Sequence, residues 1–228
     1  MQHAARALVA LLPAIAGMAA RADAPLVSET ADVIGAGACQ VEMALSQART
    51  RGQGPLHGYD VLSSCGFRGH SQAAFGFSRD RGEGALQRSA RMFGKTTLVA
   101  PEPGRTGWGL RYGLGADQLP DDSWHQEGLE LLGLVTREIA PGLLLHLNLG
   151  HLHERAAGVG KTVWALGVET AADTTVAADV FGDDRSKPWF SAGIGRRFGH
   201  GLSLNASAAL QFQQPRVRQL TVGAKIEF

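Results

Sequence analysis

Four groups of residues have types and spacings that could do chemistry. Gly158-Val159-Gly160-Lys161-Thr162 matches the end of a phosphate-binding loop, in which backbone amides and a lysine cradle phosphates. That loop needs a first glycine at 155, where Arg155 stands, and a helix after it, whereas residues 162–170 alternate as a strand. The stretch reads as an exposed turn. His151 and His153, with His146 upstream, are spaced to share one face of a strand and could hold a metal, but Glu154 is their only close acidic neighbour. Polar residues at a rim are the plainer reading, and no metal is assigned. His146 and Asn148 share a face and could serve a Ser-His-acid hydrolase, yet no serine motif accompanies them, so no catalytic residue or cofactor is assigned. The largest group is a series of charges on the polar faces of alternating segments: Glu42, Asp60, Arg91, Lys95, Arg111, Glu130, Glu169, Asp179, Arg197, Lys225 and Glu227. Their signs are mixed. Such side chains either pair across a closed interior or line a polar path for solute.

The elements that must carry these charges are strands. Alternation recurs twelve times, with an apolar face opposite each polar one. The first segment runs from Cys39 to Gln47 and the second from Gly58 to Cys65; the third spans about 70–79 and the fourth about 85–98. The fifth interleaves Trp108, Leu110, Tyr112 and Leu114 with glycines and Arg111. In the sixth, about 126–136, Leu129, Leu131 and Val135 are taken as the apolar face because the other carries Glu130. The remaining apolar faces are Leu143–Leu149, Trp164–Val168, Val176–Val180, Phe190–Ile194, Leu202–Phe212 and Val222–Phe228, each read at every second residue. Connections at 66–69, 100–105, 137–142, 171–174 and 199–201 look short; those at 48–57, 80–84, 116–124, 154–160 and 182–187 are polar and sometimes longer. Short turns at one end and longer loops at the other are the signature of a transmembrane barrel. The fold expected is all-β, an up-and-down antiparallel transmembrane β-barrel of about twelve strands, within a range of ten to fourteen. A soluble β-sandwich is the alternative. Trp108, Trp164, Tyr59, Tyr112 and Phe228 are expected near strand ends on the outward face, as an interfacial belt, with Trp124 and Trp189 at loop edges.

The two ends of the chain fit an exported barrel. Arg6, an apolar run over 7–20 and the small-x-small site Ala20-Arg21-Ala22 read as a signal peptide over residues 1–22. Residues 23–37 then form a periplasmic or lumen segment, and 38–228 the barrel. Cleavage removes Arg6 and Arg21, so the remaining 20 basic residues face 21 acidic ones, a balance that gives no argument for nucleic acid. At the other end Thr221-Val222-Gly223-Ala224-Lys225-Ile226-Glu227-Phe228 alternates and closes on an aromatic. It resembles the C-terminal assembly signal of bacterial outer-membrane barrels, carried by Thr221, Gly223, Ile226 and Phe228. That resemblance implies the barrel assembly machinery and outer-membrane lipids as partners, and the outer membrane of a Gram-negative bacterium as location. Phe228→Asp is accordingly expected to impair assembly; normal levels of a folded, heat-modifiable band from that variant would remove this support for the barrel.

The cysteines offer an independent register. A hairpin centred near Gly52 pairs residues whose numbers sum to 104, which sets Cys39 opposite Cys65, Val41 opposite Ser63, Met43 opposite Val61 and Leu45 opposite Tyr59. Close cross-strand Cα pairs lie about 4.5–5.5 Å apart, within disulfide range. In an exported chain a Cys39–Cys65 disulfide is expected.

The stretch SETADVIGAGACQVE, which leads into the first strand, followed by about ten to twelve alternating strands, resembles the outer-membrane barrels grouped as "MetA-pathway of phenol degradation" transporters. The resemblance implies a passive channel for small molecules, hydrophobic ones included, and carries over no site residue. A structural or surface-interaction barrel with a salt-bridged, closed lumen is the alternative, and a lipid-modifying enzyme a third reading.

Overall fold

Alternation sends one set of side chains out and the other in, and each strand's backbone groups need partners on both sides. Twelve strands meet that need by closing on themselves. The computed structural model describes residues 26–82, 85–118, 123–154, 158–199 and 201–228; the expected signal peptide lies outside the described residues. The strands are β1 (Cys39–Thr50), β2 (Leu56–Phe67), β3 (Ser71–Gly82), β4 (Ala85–Val99), β5 (Gly107–Gln118), β6 (His125–Ala140), β7 (Leu143–Glu154), β8 (Val159–Thr170), β9 (Thr174–Asp183), β10 (Trp189–Arg197), β11 (Leu202–Gln211) and β12 (Val217–Glu227). Each pairs antiparallel with its sequence neighbours, and β12 returns to β1 to close the barrel. No helix occurs among the described residues.

The seam matters because an open edge would expose unpaired amides to lipid. It runs from Gln40 opposite Glu227 to Thr50 opposite Val217. Reciprocal bonds between the Cys39 and Phe228 backbones (2.7 and 2.9 Å) finish it at one end. Outward side chains such as Met43, Leu45, Phe75, Met92, Leu114, Leu131, Leu149, Leu166, Ile194, Leu204 and Val222 are exposed, forming an apolar belt suited to lipid. In β6 the outward set is Leu129, Leu131 and Val135, with Glu130 inside.

The β1–β2 register sets Cys39 opposite Cys65, Val41 opposite Ser63, Met43 opposite Val61 and Leu45 opposite Tyr59. The two cysteines form a disulfide on the outward face, close to the seam. The bond closes a loop over a sequence separation of 26. Chain entropy alone assigns about 3–4 kcal/mol to a loop of this length. Cys65→Ser should lower the urea midpoint of the refolded barrel by a matching amount; an unchanged midpoint would show that the disulfide adds nothing to stability.

Two expectations need correction. The strands extend further than alternation alone indicates, so the described connections are short at both ends of the barrel, among them 51–55 and 184–188 at one end and 68–70, 141–142 and 171–173 at the other. Paired backbone continues through Arg79 and Arg81, whose polar side chains ended the apolar pattern early. The aromatic belt is also sparser. Tyr112 sits mid-strand, its ring covering Gly94 so closely that a Cβ there would meet it at 2.6 Å. A large ring shielding a bare glycine backbone explains the position better than a headgroup does. Trp189 stands at a loop edge as expected, being the first residue of β10, with its side chain turned inward, buried and stacked on Phe181 (centroids 6.2 Å apart).

Candidate functional site

The interior of the barrel is occupied by residues 26–37, which leave the wall at Ala38 and pass into the lumen. Apart from a single bridge between Ala36 and Gly66 this stretch has no strand partner, so inward-pointing wall side chains satisfy most of its backbone. The Val27 and Ser28 N–H groups donate to Asp179 Oδ2 on β9 (2.5 and 3.1 Å). Asn148 on β7 accepts from the Glu29 N–H (2.6 Å) and donates back to the Glu29 carbonyl (2.9 Å). Thr136 Oγ1 on β6 accepts from the Ala31 N–H (2.8 Å), and Thr97 on β4 donates to the Ala31 carbonyl (2.8 Å). Gln72 on β3 accepts from Ile34, and Gly37 donates to the Gly66 carbonyl on β2. Leu26, Ser28, Glu29 and Ala31 are all buried.

The wall makes room for this backbone with glycine. A Cβ on Gly66 would collide with the carbonyl oxygens of Ile34 and Gly35, one on Gly109 would lie 2.9 Å from the Ala31 carbonyl oxygen, and one on Gly167 would run into Ser28. These residues lie on β2, β5 and β8, and all face inward. Above the segment, Val27 packs on a small apolar cluster of Ala48, Ala165, Phe181, Trp189 and Val217.

Glu29 is the electrostatic centre. Its carboxylate lies 2.6 Å from Arg111 Nη1 and 3.9 Å from Lys95 Nζ, with all three side chains almost fully buried. Arg111 also contacts Glu130 (3.3 Å), and its guanidinium lies over the Phe93 ring at 4.3 Å. Toward the end of the barrel that carries the 51–55 connection, Arg91 pairs with Asp60 (3.2 Å). Toward the other end Lys225 pairs with Glu227 (2.9 Å), and Gln40 donates to Glu42 (2.7 Å). His146 joins Thr136 (3.0 Å) to Glu169 (3.2 Å). This is a hydroxyl–imidazole–carboxylate chain, but its hydroxyl holds the Ala31 amide and its imidazole is 1% exposed beneath the segment.

The structure places all eleven charges of the alternating series on inward faces. It brings Arg111 to Glu130 and Arg91 to Asp60, and gives Asp179 to the segment backbone. Glu42, Lys95, Glu169, Arg197, Lys225 and Glu227 surround a cavity of about 350 Å³ near the chain's entry into the lumen, together with Glu29, Asp32 and Phe93. A smaller cavity of about 30 Å³ lies beyond, lined by Arg91, Phe93, Arg111 and Glu130. His151 and His153 point outward on β7, away from these cavities. Lys161, from the stretch that looked like a phosphate loop, pairs with Glu154 (2.5 Å), and β8 rather than a helix follows. Among the described residues no three His, Cys, Asp or Glu side chains converge as a metal site would require.

The Glu29 site escaped the alternation pattern because Glu29 is on no strand. A signal existed: Lys95 and Arg111 are directly opposed across β4 and β5. Two facing cations destabilise a sheet unless an anion joins them.

The family described as "Uncharacterised conserved protein UCP029691" matches residues 8–228. The chain belongs to that family. No protein of curated function matches it in sequence. Among solved structures it is similar to the KdgM porin in complex with disordered oligogalacturonate, with a TM-score of 0.64 at 7% identity over 83% of this chain and 99% of that one. Outer membrane phospholipase A from Escherichia coli gives 0.54 at 9% identity over 93% and 96%. The CymD monoaromatic hydrocarbon channel gives 0.52 at 10% identity over 85% and 88%. At these identities the likeness establishes the fold shared with bacterial outer-membrane barrels.

Proposed function

We propose that this chain is an outer-membrane channel for passive passage of small molecules, gated by residues 26–37. The observation that carries the reading is what fills the lumen. Wall side chains do not close it; a separate stretch of chain does, held by hydrogen bonds and ion pairs to side chains. A twelve-stranded wall is wider than the eight-stranded barrels that side chains alone can fill, and here its inward face carries small residues such as Ser64, Gly66, Ala74, Gly109, Gly167 and Ser191. Polar tethers exchange for water more readily than packed apolar contacts, so the segment is suited to leave. Fold likeness to the KdgM porin and to the CymD monoaromatic hydrocarbon channel supports the same reading, as does the apolar belt for residence in lipid.

The second reading is a structural barrel whose lumen stays closed. The nearly complete charge pairing of Glu29, Lys95, Arg111 and Glu130 favours it. No hydrolytic role is proposed for Thr136, His146 and Glu169, because their hydrogen bonds are committed to holding the segment.

Planar-bilayer recording on the refolded mature barrel separates the two. Discrete conductance steps that change when Arg111 or Glu130 is neutralised support the channel. A heat-modifiable barrel that stays silent even after deletion of 26–37 supports the closed structural reading.

A further inference from the structure

The Glu29 carboxylate does not belong to the wall, yet the wall surrounds it as it would a ligand. Arg111 and Lys95 both reach Glu29, and each is buried. Phe93 lies against the guanidinium of Arg111 and fixes its plane. Asn148 pairs with the Glu29 amide N–H and carbonyl, as it would with the amide of an acylated amino acid. Lys95 and Arg111 face each other in register, and Glu130 contacts Arg111. The site also lies on the route. Glu29, Lys95 and Phe93 line the larger cavity, while Phe93 and Arg111 line the smaller one beyond it. A solute crossing the lumen meets this point.

We infer that Lys95, Arg111 and Asn148 form a carboxylate-binding site that Glu29 fills as an internal ligand, and that small organic carboxylates are the solutes that displace it. The inference rests on the channel reading and adds the substrate class. When Glu29 leaves with nothing in its place, two buried cations lose an anion. A neutral solute does not offset that loss and a cation worsens it, whereas an incoming carboxylate restores the balance. Exchange therefore favours that class. Because Glu29 is tethered, it competes at an effective concentration on the order of millimolar, and a free carboxylate must reach that range to open the path.

The probe is N-acetylglutamate N-methylamide, which reproduces Glu29 with its flanking amides; the uncharged glutamine analogue is its control. Calorimetric titration of the refolded mature barrel carrying Glu29→Ala should give a dissociation constant at least about tenfold lower for the acid than for the control, as charge-assisted bonds require. Adding Arg111→Gln should abolish that preference. Equal affinities, or a preference that survives Arg111→Gln, would overturn the site. With the unmodified barrel, about 10–50 mM probe should accelerate proteolysis of residues 26–37 relative to the control, a readout that holds even where Glu29→Ala folds poorly; equal proteolysis counts against the inference. Charge-dependent binding in a barrel that never conducts would overturn the channel reading and leave the site. Conductance without such binding would do the reverse.

Discussion

Glu29→Ala is expected to convert a quiet barrel into a conducting one. The substitution removes an anion that touches both Lys95 and Arg111 while all three side chains are buried. Breaking a buried ion pair by deleting one partner costs about 3–5 kcal/mol, because the remaining charge is stranded. Here the cost falls on the docked state of the segment alone, since the strand ladders of the wall do not involve residue 29. Each 1.4 kcal/mol is a factor of ten, so the population with 26–37 displaced should rise about 10²- to 4 × 10³-fold. Single-channel recording should show larger or more frequent openings, and added protease should cut within 26–37 while the barrel keeps its heat-modifiable mobility. Arg111→Ala in the Glu29→Ala background should add less than it does alone, because the pair acts as a unit. A silent, protease-resistant Glu29→Ala barrel would mean that the remaining hydrogen bonds hold the segment without the ion pair, and the gate would have to be sought elsewhere.

The wall was legible in the sequence because lipid and lumen impose opposite demands on successive residues. One charged residue, Glu130, was enough to orient the ambiguous strand β6, which runs for 16 residues, and the two cysteine positions fixed a hairpin register by addition. What alternation could not show is anything that does not alternate. Residues 26–37 form no strand with the wall beyond a single bridge at Ala36 and Gly66, so their place in the lumen leaves no periodic trace. Their binding partners, Gln72, Thr97, Thr136 and Asn148, read simply as polar inward residues. Tyr112 misled for a related reason. It serves Gly94 on the next strand, and that need depends on a neighbour that only the closed sheet supplies.

Glycine substitutions should displace the same segment without touching a charge, which makes them the sharper test of a gate. Gly66→Ala places a Cβ against two backbone carbonyl oxygens, those of Ile34 and Gly35, which cannot rotate away as a side chain could. Gly109→Val crowds the Ala31 carbonyl in the same manner from β5. Overpacking of this kind costs about 1–3 kcal/mol, enough to raise the displaced population about ten- to a hundredfold. Gly133→Ala is the matched control. It points outward on β6, and a Cβ there would meet the Leu149 carbonyl oxygen at an ordinary 3.6 Å. Gly66→Ala and Gly109→Val should therefore conduct and expose 26–37 to protease, and Gly133→Ala should do neither. The comparison with Glu29→Ala then separates position from charge. Loss of Glu29 takes the carboxylate from Lys95 and leaves Arg111 with Glu130 alone, which should bias the open pore toward anions, whereas the glycine variants open it with the Glu29 carboxylate still present on the freed segment. If Gly66→Ala and Gly109→Val stay closed while Glu29→Ala conducts, the segment has not moved, and Glu29 acts on ions already able to pass.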